Sequence, residues 1–233
     1  MTTIREPAVA ELFYPQDPDV LRATLNTMLN NAAATDIQPR ALIVPHAGYI
    51  YSGEVAAQAY KPLITIKNTI HRILLLGPTH RVAVNGCALS SASFFRTPLG
   101  DIPVDTKAVQ ALLAYPRIQI NDSAHDAEHS LEVHLPFLQT VLDDFTLVPV
   151  AVGYMHAKEL AMILDLFWDD PATLIVVSSD LSHFHAYDEA QKIDQQTTHA
   201  IETLQAGAIS SDMACGAYPV NGLLEFAKKH RLH

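Results

Sequence analysis

The sequence predicts an α/β layered domain with a mostly parallel central sheet and helices on both faces. Three observations carry this expectation. Several short runs, such as "ALIV" at 41–44, "RILLLG" at 72–77 and "TLIVVSS" before Asp180, are wholly apolar, as strands buried on both faces must be. Amphipathic stretches of helical period separate those runs, the alternation that builds parallel sheets. No linker-like segment interrupts the 233 residues, which suffice for one large domain with a substantial core.

Each element has its own local reason. Asp17-Pro18 is an N-cap followed by proline at the first helical position, and Leu21, Leu25, Met28 and Leu29 then share one face. After the strand at 41–44, "SGEVAAQAYKPL" predicts a helix stopped near Pro62. "GCALSSASFF" follows the strand at 72–77 as a more irregular β region, and "FFRTPLGDIPV" predicts a hairpin around Leu-Gly-Asp. "VDTKAVQALLAY" predicts a helix capped by Asp105. "HDAEHSLEVHLPFLQTVL" predicts a longer helix, kinked where Pro136 removes a backbone donor. "FTLVPVAVG" is a strand, "HAKELAMILDLFW" a helix and "TLIVVSS" a strand, and "DEAQKIDQQTTHAIETLQ" and "NGLLEFAKKH" supply the last helices.

Composition removes several functional classes. A net charge of −10 argues against a general nucleic-acid or anionic-membrane binder, since both need basic patches. No apolar run approaches the roughly 18 residues of a membrane span, and "MTTIREPAVAEL" lacks the pattern of a secretory signal. Two cysteines, Cys87 and Cys215, do not make a disulfide framework, so a cytoplasmic, reduced protein is expected. Neither G-x-G-x-x-G nor G-x-x-x-x-G-K-[ST] occurs, nor does a G-x-S-x-G nucleophile elbow.

The strand ends are the informative feature. "ALIVPHAG" delivers His46, "ILLLGPTH" delivers His80, and "VVSSDLSHFH" delivers Asp180, His183 and His185. Ligands gather beyond the carboxyl ends of strands in open α/β sheets, so parallel strands would bring these residues to one edge. Two imidazoles and an anionic group make a site for Fe(II) or Zn(II), with Asp180, Cys215 or Glu132 able to supply the anion. The competing reading is that His46 and His80 are turn residues bonded to backbone; it weakens as strand ends accumulate. In "DAEHSLEVHLPF", helical spacing puts His125, His129 and Glu132 on one face, as pocket-lining groups or as a solvated surface, with His134 beside Leu131 and Leu138. By itself Cys215 reads as a small buried hydrophobe.

Six blocks then appear in fixed order: "EPAVAELFYP", "PHAGYIYSGEVAAQAY", "GPTHRVAVNGCALSSASFFRTPLGDIPVD", "EHSLEVHLPFLQ", "SSDLSHFHAYDEAQKID" and "ACGAYPVNGLLE". Together they resemble the Memo family, including the Memo-like partner protein of the AmmeMemoRadiSam grouping, from about residue 5 to about residue 230. The resemblance implies a fold similar to class III extradiol ring-cleaving dioxygenases, which hold nonhaem iron at the sheet edge. It implies a metal site of His46, His80 and Cys215, lined by Asp180 and His183, with His183 in the position of an acid–base histidine. His129, Glu132 and His134 would stand behind the ligands. Fe(II) is the expected metal, with zinc or copper as competitors, and a radical-SAM protein is a partner suggested by the grouping's name.

Three departures accompany the resemblance. A cysteine replaces the dioxygenases' carboxylate ligand, and a thiolate is softer and more easily oxidised. Glu11 stands where the family often has glycine. The chain ends at "KKHRLH" where family members usually continue, so a single domain over 1–233 lacking the family's C-terminal strand and tail is expected. The functional expectation is a metalloprotein with dioxygenase-like oxidoreductase activity on an unknown small molecule. The alternative is a non-catalytic protein that binds a peptide or partner in the same pocket, with Tyr49, Tyr51 and Phe184 near it; metal-assisted hydrolysis at zinc is a third reading.

Overall fold

The apolar runs form the strands expected of them. The computed structural model describes residues 3–232, so Met1, Thr2 and His233, the ends of the expected 1–233 domain, lie outside the described residues. The elements in chain order are β1 (Ile4–Arg5), α1 (Pro18–Asn31), β2 (Ala41–Val44), α2 (Tyr49–Tyr60), β3 (Arg72–Pro78), β4 (Cys87–Leu89), β5 (Phe94–Thr97), β6 (Gly100–Pro103), α3 (Thr106–Leu112) and β7 (Ile118–Ile120). They continue with α4 (Ser123–Asp126), α5 (Leu135–Val141), β8 (Thr146–Val152), α6 (Ala157–Trp168), β9 (Thr173–Ser178), α7 (Tyr187–Glu202) and α8 (Ala217–His230). The expected caps are present: the Asp17 carboxylate accepts from the amides of Asp19 and Val20, and Asp105 accepts from Ala108.

One sheet has the strand order β2-β9-β3-β8-β4-β7. Its pairs are parallel except β4 against β8, which is antiparallel. The central strands β3, β8 and β9 are buried almost throughout, which is why they read as unbroken apolar runs. Helices α6 and α8 pack on each other and against β9 and β3, while α2 packs against β2, α1 and α5. The expected hairpin is β5-β6, and β1 pairs with its β5 edge to make a second, three-stranded sheet. Among the described residues, no helix is long and apolar enough to cross a membrane.

One expectation fails. "HDAEHSLEVHLPFLQTVL" is not a kinked helix: α4 ends at Asp126, residues 127–131 form no regular helix, a 3-10 turn covers Glu132–His134, and α5 begins at Leu135. Pro136 sits in the first turn of α5 and bends nothing. Side chains take the place of the helical ladder. The Glu128 carboxylate accepts from the amides of His129 and Ser130, both at 3.0 Å. Such local capping competes directly with an i→i−4 bond. His125, His129 and Glu132 therefore do not share a helix face.

Glu132 is fully buried and lies outside the candidate site. It is ion-paired with Arg5 and accepts from the amides of Ala8 (2.7 Å) and Val9 (3.0 Å) and from the Tyr14 hydroxyl (2.5 Å). Arg5 also donates to the carbonyls of His125 and Glu128. This pair thus fastens the N-terminal segment to the irregular stretch 125–132. In the same N-terminal turn Glu11 has a φ of 70°, the left-handed conformation that suits glycine, and nothing in the structure explains the glutamate there. Removing one partner of a buried ion pair leaves the other charge stranded. Glu132→Ala is therefore expected to lower the unfolding free energy by about 3–5 kcal/mol, read by urea denaturation. A loss below about 1 kcal/mol, as exposed pairs give, would mean the pair does not hold the segment.

Candidate metal centre

The sheet topology alone brings three of the predicted strand ends together. β9 lies between β2 and β3 and is parallel to both, so the residues following Val44, Pro78 and Ser178 emerge side by side. His46, His80 and Asp180 each sit two residues beyond those ends. Cys215 comes from elsewhere, on the approach to α8. Its amide donates to the Asp180 carbonyl at 3.3 Å, and the Asp180 amide points back at Sγ, also 3.3 Å. Gly216 permits this approach: a Cβ there would lie 2.5 Å from the Ser178 carbonyl oxygen and 2.6 Å from the Ser179 Cβ. The Gly216 amide instead donates to Ser179 Oγ at 3.0 Å.

His46, His80 and Cys215 each offer a ligand atom within 4.8 Å of the others, a group of side chains able to hold one metal ion. Both imidazoles are anchored through Nδ1, so the Nε2 edges face the shared space. His46 Nδ1 meets Ser178 Oγ at 2.6 Å, and its Nε2 lies 3.3 Å from Cys215 Sγ. His80 Nδ1 meets Glu128 Oε1 at 2.8 Å, and His80 offers a ligand atom within 4.8 Å of Cys215 Sγ. Anchoring the far nitrogen of each imidazole is how metal sites fix ring orientation and tautomer. Two imidazole nitrogens and one sulfur suit a late first-row metal.

The neighbours divide by what they touch. Asp180 Oδ1 accepts from the amides of His46 (2.7 Å) and Ala47 (3.2 Å), which leaves Oδ2 3.8 Å from His46 Nε2. His129 stacks on His80 with ring centroids 4.7 Å apart, meets His46 edge-on at 5.4 Å, and is covered by Phe13 at 4.8 Å. His80, Glu128 and His129 form a second overlapping group of close ligand atoms. His134 is buried behind His46, bonded to Tyr60 and Ser178. His183 is exposed with its ring stacked on Phe184, and His185 faces Glu189 at 3.6 Å. Tyr49 is a core residue, its hydroxyl donating to the Val133 carbonyl, whereas Tyr51 and Phe184 are 80% and 99% exposed.

Glu128 is the residue that the sequence reading missed. It is 2% exposed, yet its oxygens accept from the His80 amide at 2.5 Å, the His80 ring, and the amides of His129 and Ser130. The usable signal was the triplet Glu-His-Ser, an acid placed to cap the two amides after it; a helix assignment conceals it. Burial alone would raise the Glu128 carboxyl, but bonds from His80 and the backbone outweigh it and hold the carboxyl near pKa about 2. For His80, burial likewise opposes the charged form, and bonds to Cys215 and Glu128 overcome it, raising the imidazole to about 9. His46 goes the other way, pushed well below its ordinary value by burial and by His80 and His129 beside it. Without metal, the surroundings therefore favour the charged form of His80 and the neutral form of His46.

The sequence matches the family described as Memo-like protein over residues 5–233. Among curated proteins, it is 34% identical over 235 residues to "MEMO1 family protein" of Aquifex aeolicus, covering 97% of this chain and 86% of that one. It is 34% identical over 253 residues to "Protein MEMO1" of Homo sapiens, covering 94% and 83% of the two chains. The "Protein memo-1 homolog" of Caenorhabditis elegans is 34% identical over 255 residues, covering 98% and 72%.

Because Glu128 supports the proton on His80, Glu128→Gln is expected to lower the His80 pKa in metal-free protein from about 9 toward the ordinary imidazole value. The sign for stability follows: a raised folded pKa stabilises fully below the unfolded value and is lost as pH climbs through about 9. The variant should lose that fall in stability between the ordinary imidazole value and about pH 9. NMR titration of the histidine ring protons checks this; an unmoved His80 pKa contradicts the pairing.

Proposed function

The chain belongs to the Memo family, and on that premise we propose that it is a metalloprotein whose His46, His80 and Cys215 hold one Fe(II) for oxidoreductase chemistry on a small organic molecule. Zinc and copper are the competing metals. The observation that carries this reading is the convergence of three ligand atoms within 4.8 Å, both imidazoles being anchored through Nδ1. Iron is favoured over zinc by the likeness of the strand-end layout to a nonhaem-iron site, and a thiolate donor keeps copper and zinc in contention. Bound there, iron supplies a redox centre with open coordination positions, and zinc would supply a Lewis acid instead.

The chain's own residues have separable tasks. Asp180, tied to two backbone amides by one oxygen, offers the other to a water or a polar substrate group at the edge of the cluster. The exposed His183 is the candidate to take or return a proton from a molecule entering from solvent. His129 and Phe13 close one side and limit water there. A second reading, a pocket that binds a peptide or partner without turnover, is favoured by exposed aromatic side chains: Phe184 is 99% and Tyr51 80% exposed.

Elemental analysis of anaerobically purified protein, made without metal-binding tags, separates these readings. Near-stoichiometric iron in the wild type and severalfold less in Cys215→Ser are expected. A wild type that is empty and also refuses Fe(II), Zn(II) and Cu(I) would overturn the metal reading and turn attention to the exposed aromatic side chains.

A further inference from the structure

Behind His46 lies a chain of polar groups that the proposed chemistry does not use. Tyr60, His134 and Ser178 are at most 1% exposed, as is His46 itself. The Tyr60 hydroxyl is 2.8 Å from His134 Nδ1, His134 Nε2 is 2.8 Å from Ser178 Oγ, and Ser178 Oγ is 2.6 Å from His46 Nδ1. Ser178 Oγ is also 2.6 Å from the carbonyl oxygen of Ser130. Four groups buried out of water must satisfy one another, and donor counting leaves them one arrangement.

A carbonyl can only accept, so the single Ser178 hydroxyl proton goes to Ser130. Both imidazoles must then donate to the serine oxygen. His134 therefore carries its proton on Nε2, and its bare Nδ1 accepts from the Tyr60 hydroxyl. His46 carries its proton on Nδ1, and the lone pair on Nε2 is turned toward Cys215. The chain is anchored at the other end as well, since Ser130 Oγ donates to the carbonyl of Pro78 at the end of β3.

We infer that Tyr60, His134 and Ser178 form a buried relay that fixes the tautomer of His46 and so presents its Nε2 as a ligand atom. The inference rests on the reading of His46 as a metal ligand only for its purpose; the tautomer assignment stands on the hydrogen bonds alone. The two histidines are thus built unequally: an anionic carboxylate holds His80, and a neutral relay ending on a phenol holds His46. These are positioning residues, since none of the three touches the shared space of the cluster.

Long-range 1H–15N spectra of the imidazoles test the assignment in metal-free, full-length protein. The wild type should show His46 protonated on Nδ1 and His134 on Nε2. Ser178→Ala should let His46 divide between tautomers, whereas Ser178→Thr, which keeps the hydroxyl, should restore the wild-type pattern. Tyr60→Phe removes one oxygen without opening a cavity and leaves His134 Nε2 its serine acceptor, so the tautomers should stay as in the wild type. In parallel, Zn(II) affinity should fall by roughly 10–100-fold in Ser178→Ala and stay near wild type in Ser178→Thr. His46 protonated on Nε2 in the wild type, or unchanged tautomers in Ser178→Ala, would overturn the relay. Weakened zinc binding with unchanged tautomers would also overturn it, as a packing effect. The expected tautomers in a wild type that binds no zinc would support the relay and overturn the metal reading instead.

Discussion

The buried ion pair between Arg5 and Glu132 is the interaction on which the rest of the site depends. Residues 127–131 have no helix or strand to hold them, yet this stretch carries Glu128, His129 and Ser130, and His134 follows it closely. One guanidinium binds the Glu132 carboxylate and the carbonyls of His125 and Glu128 together. A charge taken out of water is tolerable only when its partners are complete, and here Ala8, Val9 and Tyr14 complete them. The N-terminal turn that contributes those partners also lays Phe13 over His129. Fold stability and site geometry are therefore coupled through residues that never approach the ligand atoms.

The sheet supplies the other half of the arrangement. With β9 between β2 and β3, three parallel carboxyl ends open on the same edge, and short turns need only two residues to deliver His46, His80 and Asp180. The fourth contributor, Cys215, arrives because Gly216 lets the backbone press against the end of β9. The result is a cluster with unequal halves. His80, backed by a carboxylate and half open to solvent, favours the charged form; His46, enclosed by neutral groups, rejects it. Such asymmetry gives a metal one ligand that holds its proton more firmly than the other.

How much of this was legible in the sequence follows the physics of each feature. The strands, the Asp17 and Asp105 caps and the convergence of strand ends depend on local pattern and on the general rule for parallel sheets, and could be read directly. Glu132 could not: its spacing from His129 suits a helix face, but its carboxylate is claimed by Arg5, 127 residues away in the chain. Glu128 was hidden by the same helix assignment. The role of Ser178 in orienting His46 was invisible, because a serine at a strand end carries no mark of what its hydroxyl will meet. Cys215 was reached through family resemblance rather than through its surroundings, since its placement depends on a long-range approach.

The most direct test of the central claim is X-ray absorption at the metal edge of the loaded protein. For zinc, the account predicts one sulfur at about 2.3 Å and imidazole nitrogens at about 2.0–2.1 Å, with the sulfur shell absent in Cys215→Ser. A first shell of oxygen and nitrogen alone in the wild type would contradict it, placing any bound ion away from Cys215.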